Sequence, residues 1–253
     1  MALTTPNWIA PDVVQARYST RLGGVSNPPY ASLNLGDHVG DDGQSVLRNR
    51  QIVREWLPAN PIWLRQVHGT RVSTPASRIE FAGAEIEADA AVSNAPNEVL
   101  AVMTADCLPV LFTTKQGNAI GVAHAGWRGL CAGVLECTIA ELLKLAPEQG
   151  PEDVLVWLGP AIGPDSFEVG EDVRSAFMQA QGMEFPDTFI PIVGRPGKYW
   201  ANLYLLARHR LAALGVVCID GGVECTYRDK DRFFSYRRDG ETGRFASFIW
   251  ISP

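Results

Sequence analysis

Cys107 in TADCLP, His124 in AHAGWRG and His68 in RQVHGT each stand among small or turn-forming residues. A thiolate and two imidazoles suit zinc. Three protein ligands leave a fourth position open to water, as in catalytic rather than structural zinc sites. If the three converge, the chain is an enzyme. Asp106, beside Cys107, and Asp89, in EADAAV, are the carboxylates nearest by sequence that could accept a proton there or orient a ligand. Neighbouring strand residues face opposite ways, so Asp106 has a second reading, as an acceptor of backbone amides in a turn.

Positioning begins with a hairpin. Leu108 to Thr114 and Asn118 to Ala123 read as strands joined through KQGN, with Gln116 and Gly117 at the turn. A loop of two or of four residues gives the same register, pairing Thr114 with Ala119 and Pro109 with His124. Residues opposite one another share a face, as do residues two apart on a strand. Cys107 and His124 therefore point the same way at a diagonal spacing of about 7 Å, which two side chains can span to an ion about 2.0–2.3 Å from each. Pro109 weakens the ladder, so the strand is expected to begin after it, with Cys107 on a bend. The register does not reach His68.

Around the hairpin, short apolar runs alternate with helical patterns and no linker divides them, which predicts one α/β domain over 1–253. Pro61 to Val67, Glu98 to Thr104, Asp153 to Leu158, Val216 to Ile219 and the tail FASFIWIS read as strands. Ser45 to Trp56, Gly129 to Leu145, Glu171 to Gln179 and Asn202 to Leu214 read as helices. Hairpins within an alternating pattern predict a mixed sheet rather than a purely parallel one.

Composition removes several functions. With 22 basic against 28 acidic residues and a net charge of −6, no basic footprint exists for sequence-independent nucleic-acid binding. No run of about 18 apolar residues and no basic, apolar leader occurs, so neither a membrane partner nor export is expected. An odd count of five irregularly spaced cysteines argues against a disulfide framework and for a reducing cytoplasm. Four histidines fall well short of the ten or so that a multicopper oxidase needs, which makes copper the weaker choice of metal. No nucleotide-binding glycine fingerprint supports NAD or ATP.

Arg48, Arg50, Arg65, Arg128, Arg237 and Arg238 lie in or near turn-rich segments, and guanidinium groups hold phosphate or carboxylate in a bidentate manner. Arg128 has the best claim by proximity to His124, and a helix starting near Gly129 would aim free amides at an anion there. His38 and His209 take the default reading of hydrogen-bonded histidines. In the C-terminal stretch, Phe233, Phe234 and Tyr236 are core or a stacking surface, and at least one phenylalanine is expected in the core.

The ordered blocks STRLGGVS, SLNLGDHVGDD, RNR, RQVHGTRV, EADAAVS, TADCLPVLF, GVAHAGWRGL, LGPAIGP, FEVGEDV and FFSYRRDGETGRFA span nearly the whole chain. Together they resemble the YfiH family, also called the laccase-domain or peptidoglycan-editing-factor family. That resemblance implies a mixed α/β sandwich, similar to the fold of toxin deamidases of the cysteine-histidine type, and one zinc held by His68, Cys107 and His124. It implies phosphorolysis of adenosine, inosine, guanosine and methylthioadenosine to base and ribose 1-phosphate, with adenosine deamination at the same site. Asn34 and Arg48 match motif positions expected to line the pocket. Some members carry a cysteine-containing stretch after GPAIGP, where this chain has Asp165 and Ser166.

Deamination suits an activated water with a carboxylate shuttling protons. Phosphorolysis needs an anion site, for which Arg48 or Arg128 are candidates, and a protonated or well-bound purine leaving group. A different reaction class stays open: an amide hydrolase removing misincorporated amino acids from cell-wall precursors, with Cys107 as nucleophile and His124 as base. A copper polyphenol oxidase ranks below both, and a non-catalytic binding module below that.

Overall fold

The computed structural model describes residues 3–80, 86–181 and 186–253. The first third contains β1 (Leu3–Thr4), β2 (Val14–Ser19), α1 (Gly43–Arg54), β3 (Val72–Ser73) and α2 (Pro75–Glu80). The centre contains β4 (Ala90–Ser93), β5 (Leu100–Thr104), β6 (Leu108–Thr114), β7 (Ile120–Ala125), α3 (Trp127–Ala132), α4 (Val134–Leu145) and β8 (Val154–Leu158). The remainder contains β9 (Glu168–Gly170), α5 (Glu171–Gln181), β10 (Phe189–Pro191), β11 (Lys198–Ala201), α6 (Leu203–Ala213), β12 (Cys218–Gly221), α7 (Tyr236–Asp239) and β13 (Phe245–Ile251).

The architecture is a mixed α/β sandwich. One sheet runs β12-β8-β6-β7-β4-β3, with parallel pairs at its two edges and antiparallel pairs between. A second, antiparallel sheet runs β1-β2-β13-β5, and a small sheet β10-β11-β9 packs with α5. Period-two alternation explains the layering. On β6, Val110 and Phe112 face the helices α4 and α6, while Leu111 faces the second sheet. On β5, Leu100 and Val102 face the first sheet, while Ala101 and Met103 pack outward with Val53 of α1. Fully burying each of the larger of these side chains contributes about 1.5–3 kcal/mol.

The hairpin register is as read from the sequence, with Pro109 opposite His124. Cys107 lies on a bend, but β6 starts at Leu108 and takes Pro109 into the strand. Pro109 lacks only its N–H, and its carbonyl still accepts from Gly159 N at 2.9 Å. Phe233 and Phe234 are both buried.

Several elements differ from expectation. Residues 61–67 form no strand: Ile62 bridges to Leu100 in one sheet and Arg65 to Glu87 beside the other, so neither ladder continues. The segment predicted as one helix from Gly129 begins at Trp127 and is divided at Gly133, whose φ of 103° stops α3 before α4 begins. Such a left-handed residue suits glycine. The strand expected at Val216–Ile219 is displaced to Cys218–Gly221. β2, β4 and the small sheet have no counterpart among the elements expected from the sequence. Among the described residues no helix is long and apolar enough to cross a membrane.

Candidate metal centre

The chain leaves the second sheet at Thr104 and enters the first at Leu108, so Ala105, Asp106 and Cys107 form the corner between the two sheets. Cys107 therefore opens onto the space between them. His124, on β7, faces the same space by the hairpin register. His68 reaches it from the loop that bridges the two sheets through Ile62 and Arg65. The three ligand atoms lie within 4.8 Å of one another, and Cys107 Sγ is 3.7 Å from His68 Nε2. A tetrahedral ion bound at about 2.0–2.3 Å holds its ligand atoms about 3.3–3.8 Å apart. Donor types and spacing thus fit one metal ion.

Asp89 organises two of the three. Its Oδ1 accepts from His68 N at 2.9 Å and His124 Nδ1 at 2.8 Å, and its Oδ2 accepts from Val67 N at 3.1 Å and Gly69 N at 2.7 Å. The carboxylate is fully buried. Three consecutive amides on one carboxylate hold His68 at a φ of 61°, a conformation that costs a non-glycine residue about 1–3 kcal/mol. The bond to His124 Nδ1 leaves Nε2 for the metal, the familiar way of orienting an imidazole ligand. The glycine after Ala125 is demanded by closeness: a Cβ on Gly126 would lie 2.7 Å from His68 Cδ2 and 3.0 Å from Cys107 Sγ.

Electrostatics match the geometry. Burial alone pushes the Cys107 thiol up, but the His124 charge and hydrogen bonds from His124 and His68 bring it down to about 6. Burial would lower His124, yet the Cys107 thiolate and the Asp89 hydrogen bond raise it to about 9. Burial would raise Asp89, and the His124 bond together with the Gly69 and Val67 amides brings it below the ordinary carboxylate range. Each shift favours the charged form of its group, thiolate for Cys107 and imidazolium for His124.

The centre lines a cleft of about 380 Å³ with Gln66, Thr104, Tyr236 and Arg244 among its other walls, a size ordinary for small-molecule sites. Arg244 donates to the Thr242 and Gly243 carbonyls, each at 3.0 Å. Burial draws its pKa down, with the Cys107 and Asp106 charges acting the other way, and a guanidinium stays charged at working pH. A second hollow of about 400 Å³, walled by Asp37, Arg50 and Trp63, adjoins the first through His38, Gln66 and Met103.

The other residues singled out in the sequence fall elsewhere. Asp106 has a φ of 92° and turns from the cleft, accepting from Thr226 Oγ1 at 2.6 Å, Ser235 Oγ at 3.0 Å and Arg237 N at 2.7 Å. Its partners are two hydroxyls and one amide distant in sequence rather than the amides of its own turn, so it ties the corner to the C-terminal segment. Arg48 is on the exposed face of α1, bonded to Gln51, and Arg128 is exposed and lies over Trp127. Neither lines the cleft: Arg50 takes the place expected of Arg48, and Arg244 supplies the cation expected of Arg128. Asn34 is buried beneath the cleft, accepting from Gly36 N and Arg244 N and donating to Asp41, so it supports Arg244 rather than meeting a ligand. His38, read as an ordinary hydrogen-bonded histidine, lines both hollows.

Residues 15–252 match the family model described as multi-copper polyphenol oxidoreductase laccase. A purine nucleoside phosphorylase of Haemophilus influenzae is 49% identical over 99% of this chain and 100% of its own. The purine nucleoside phosphorylase YfiH of Escherichia coli is 50% identical over 98% of both chains. A Neisseria meningitidis protein of known crystal structure superposes with a TM-score of 0.91 at 46% identity, covering all of both chains. YlmD from Geobacillus stearothermophilus does so with a TM-score of 0.85 at 32% identity, over 98% of this chain and 97% of its own. With the model and the relatives matching almost end to end, the chain belongs to the YfiH family.

Proposed function

We propose that this chain is a zinc-dependent purine nucleoside phosphorylase of the cytoplasm, converting purine nucleoside and phosphate to free base and ribose 1-phosphate. The observation that carries the reading is the union of a His-Cys-His ligand set and a half-buried guanidinium in one cleft of about 380 Å³, in a chain whose full-length relatives bear that activity's name. His68, Cys107 and His124 hold the ion, which when bound supplies Lewis acidity. Arg244 holds the phosphate. Asp89 keeps His124 in the tautomer that leaves Nε2 free. Adenosine deamination is a second activity of the same cleft. Five free thiols suit a reducing compartment.

A copper oxidase would need imidazoles that this chain lacks. Of its four histidines, two belong to the trio and His209 lies on α6, away from both hollows. The amide-hydrolase reading keeps one specific support: Asp89, His124 and Cys107 stand in the order of a cysteine-protease triad, with their mutual interactions favouring thiolate and imidazolium.

One experiment separates the readings. The purified protein is assayed for bound metals and for turnover of adenosine with and without phosphate, following ribose 1-phosphate, inosine and adenine. Stoichiometric zinc and phosphate-dependent base release support the phosphorylase. Metal-free protein with an amidase activity that Cys107→Ser abolishes overturns it. His68→Ala is expected to lower metal content as much as His124→Ala does.

A further inference from the structure

The trio provides no proton for a departing base, because a metal-holding imidazole or thiolate has its lone pair committed. Phosphorolysis still requires one: electrons from the broken C1′–N9 bond pass into the purine, which leaves readily only when N7 is protonated. Of the walls shared by the two hollows, Gln66 and Met103 do not titrate, and Gln66 is clamped to the Met103 backbone by two bonds of 2.8 Å. The third shared wall is His38, whose imidazole has two ring nitrogens able to donate or accept a proton.

Placement of His38 is unusual for an exposed loop residue. Its loop is fastened before it, where Leu35 N donates to Arg244 O at 2.9 Å, and after it, where Tyr30 Oη donates to Val39 O at 2.8 Å. Asp37 Oδ1 lies 3.4 Å from His38 Nδ1, and Asp37 Oδ2 lies 3.0 Å from the Arg50 guanidinium. Arg50 is itself fixed by Leu35 O and by the face of Trp63, 4.4 Å away. A chain of Trp63, Arg50 and Asp37 thus stands behind Nδ1 of an imidazole that lines both hollows. With its side chain 57% exposed, His38 adds little to the core, so this support serves placement rather than packing.

Resting on the phosphorylase reading above, we propose that His38 is the general acid of the reaction, delivering a proton from Nε2 to N7 of the leaving purine. A phosphate oxygen bonds to C1′ as the C1′–N9 bond breaks and its electron pair passes into the base. The imidazolium gives up its proton, and His38 regains one from the hydrogen phosphate group of the product ester through solvent.

The test compares two substrates in the metal-loaded enzyme. Inosine needs the proton, whereas 7-methylguanosine already carries a cationic base that departs neutral. His38→Gln is expected to lower kcat for inosine by about 10²–10⁴-fold, with the loss on 7-methylguanosine shrinking to less than about threefold. Zinc content and unfolding midpoint should stay at wild-type values. Equal losses on both substrates, or full activity on inosine, overturn the assignment. The same selective loss in Tyr236→Phe would also overturn it by moving the role to the phenol. Failure of the wild-type enzyme to release base from either nucleoside with phosphate refutes the phosphorylase reading itself, an outcome distinct from a fully active His38→Gln.

Discussion

Replacing Asp89 by Asn is the sharpest perturbation of the centre, since it preserves shape and removes only charge and one acceptor. Each carboxylate oxygen accepts two hydrogen bonds, at 2.7–3.1 Å. An amide keeps one oxygen, so whichever way it turns, two N–H donors face an NH₂ group. Hydrogen bonds to a charged acceptor are worth about 1.5–3 kcal/mol each, giving a loss of about 3–6 kcal/mol. That is a large part of the 5–15 kcal/mol typical of a folded protein. Because the Asp89 carboxyl titrates below its ordinary range, its contribution is intact at neutral pH and is lost as pH falls below about 4. Metal affinity should fall about 10–100-fold, the usual effect of removing a carboxylate behind a histidine ligand. Urea unfolding of the metal-free protein gives the first quantity and chelator competition the second. A variant with an unchanged midpoint and metal affinity within about twofold of wild type would refute the organising role of Asp89.

Further outcomes follow from the same geometry. Gly126→Ala, whose Cβ would press on His68 and Cys107, should lower metal affinity at least tenfold while the backbone at φ −62° tolerates alanine; unchanged affinity in chelator competition would contradict the close approach. With Cys107 at about 6 and His124 at about 9, metal entering between those values displaces about one proton, from His124. The logarithm of affinity should then rise by about one per pH unit and level above 9; a flat profile across that range would sink the assignment. Arg244→Gln should raise KM for phosphate at least tenfold and KM for nucleoside far less, a split read from initial rates. Stripping the metal should lower the thermal midpoint by about 8–16 °C if zinc stands at about a thousand times its Kd, from about 4 kcal/mol of binding linkage and about 2–4 °C per kcal/mol, and His68→Ala should abolish that difference.

How much of the centre was legible depends on how local its causes are. The Cys107 and His124 alignment rests on one hairpin and the period of a strand, both local, and the register came out directly. His68 had no such route. Its loop bridges two sheets and is held by the carboxylate of Asp89, a residue 21 positions away, so no periodicity announces it and only the family resemblance named it. The exchange of Arg48 for Arg50 was readable. On α1 the buried Val46 and Val53 mark the inner face, and Arg50 stands four after one and three before the other, whereas Arg48 is near the opposite side. Arg244 was hidden by distance in sequence, although it sits in the GRFA block just before β13. The divided helix at Gly133 carried its own signal, a glycine inside a helical pattern.

Two aspartates that bind no metal set this site, and they divide the work by direction. Asp89 draws the His68 loop down onto β7, while Asp106, one residue before Cys107, draws the C-terminal segment bearing Tyr236 and Arg237 onto the corner. Of the three non-glycine residues with positive φ among those described, two are His68 and Asp106, the points where the chain bends to bring a ligand inward, and each bend is held by hydrogen bonds to one of the two carboxylates. Two of the three chemistry-bearing residues, Cys107 and His68, are therefore separable from the frame, while His124 is part of β7. Cys107 and His68 retain solvent access and contribute little burial, whereas Asp89 is fully enclosed and Asp106 nearly so. A chain built this way can change what the cleft does by altering walls such as His38 and Arg244, because the forces that place the metal ligands lie behind the ligands and not in the cleft.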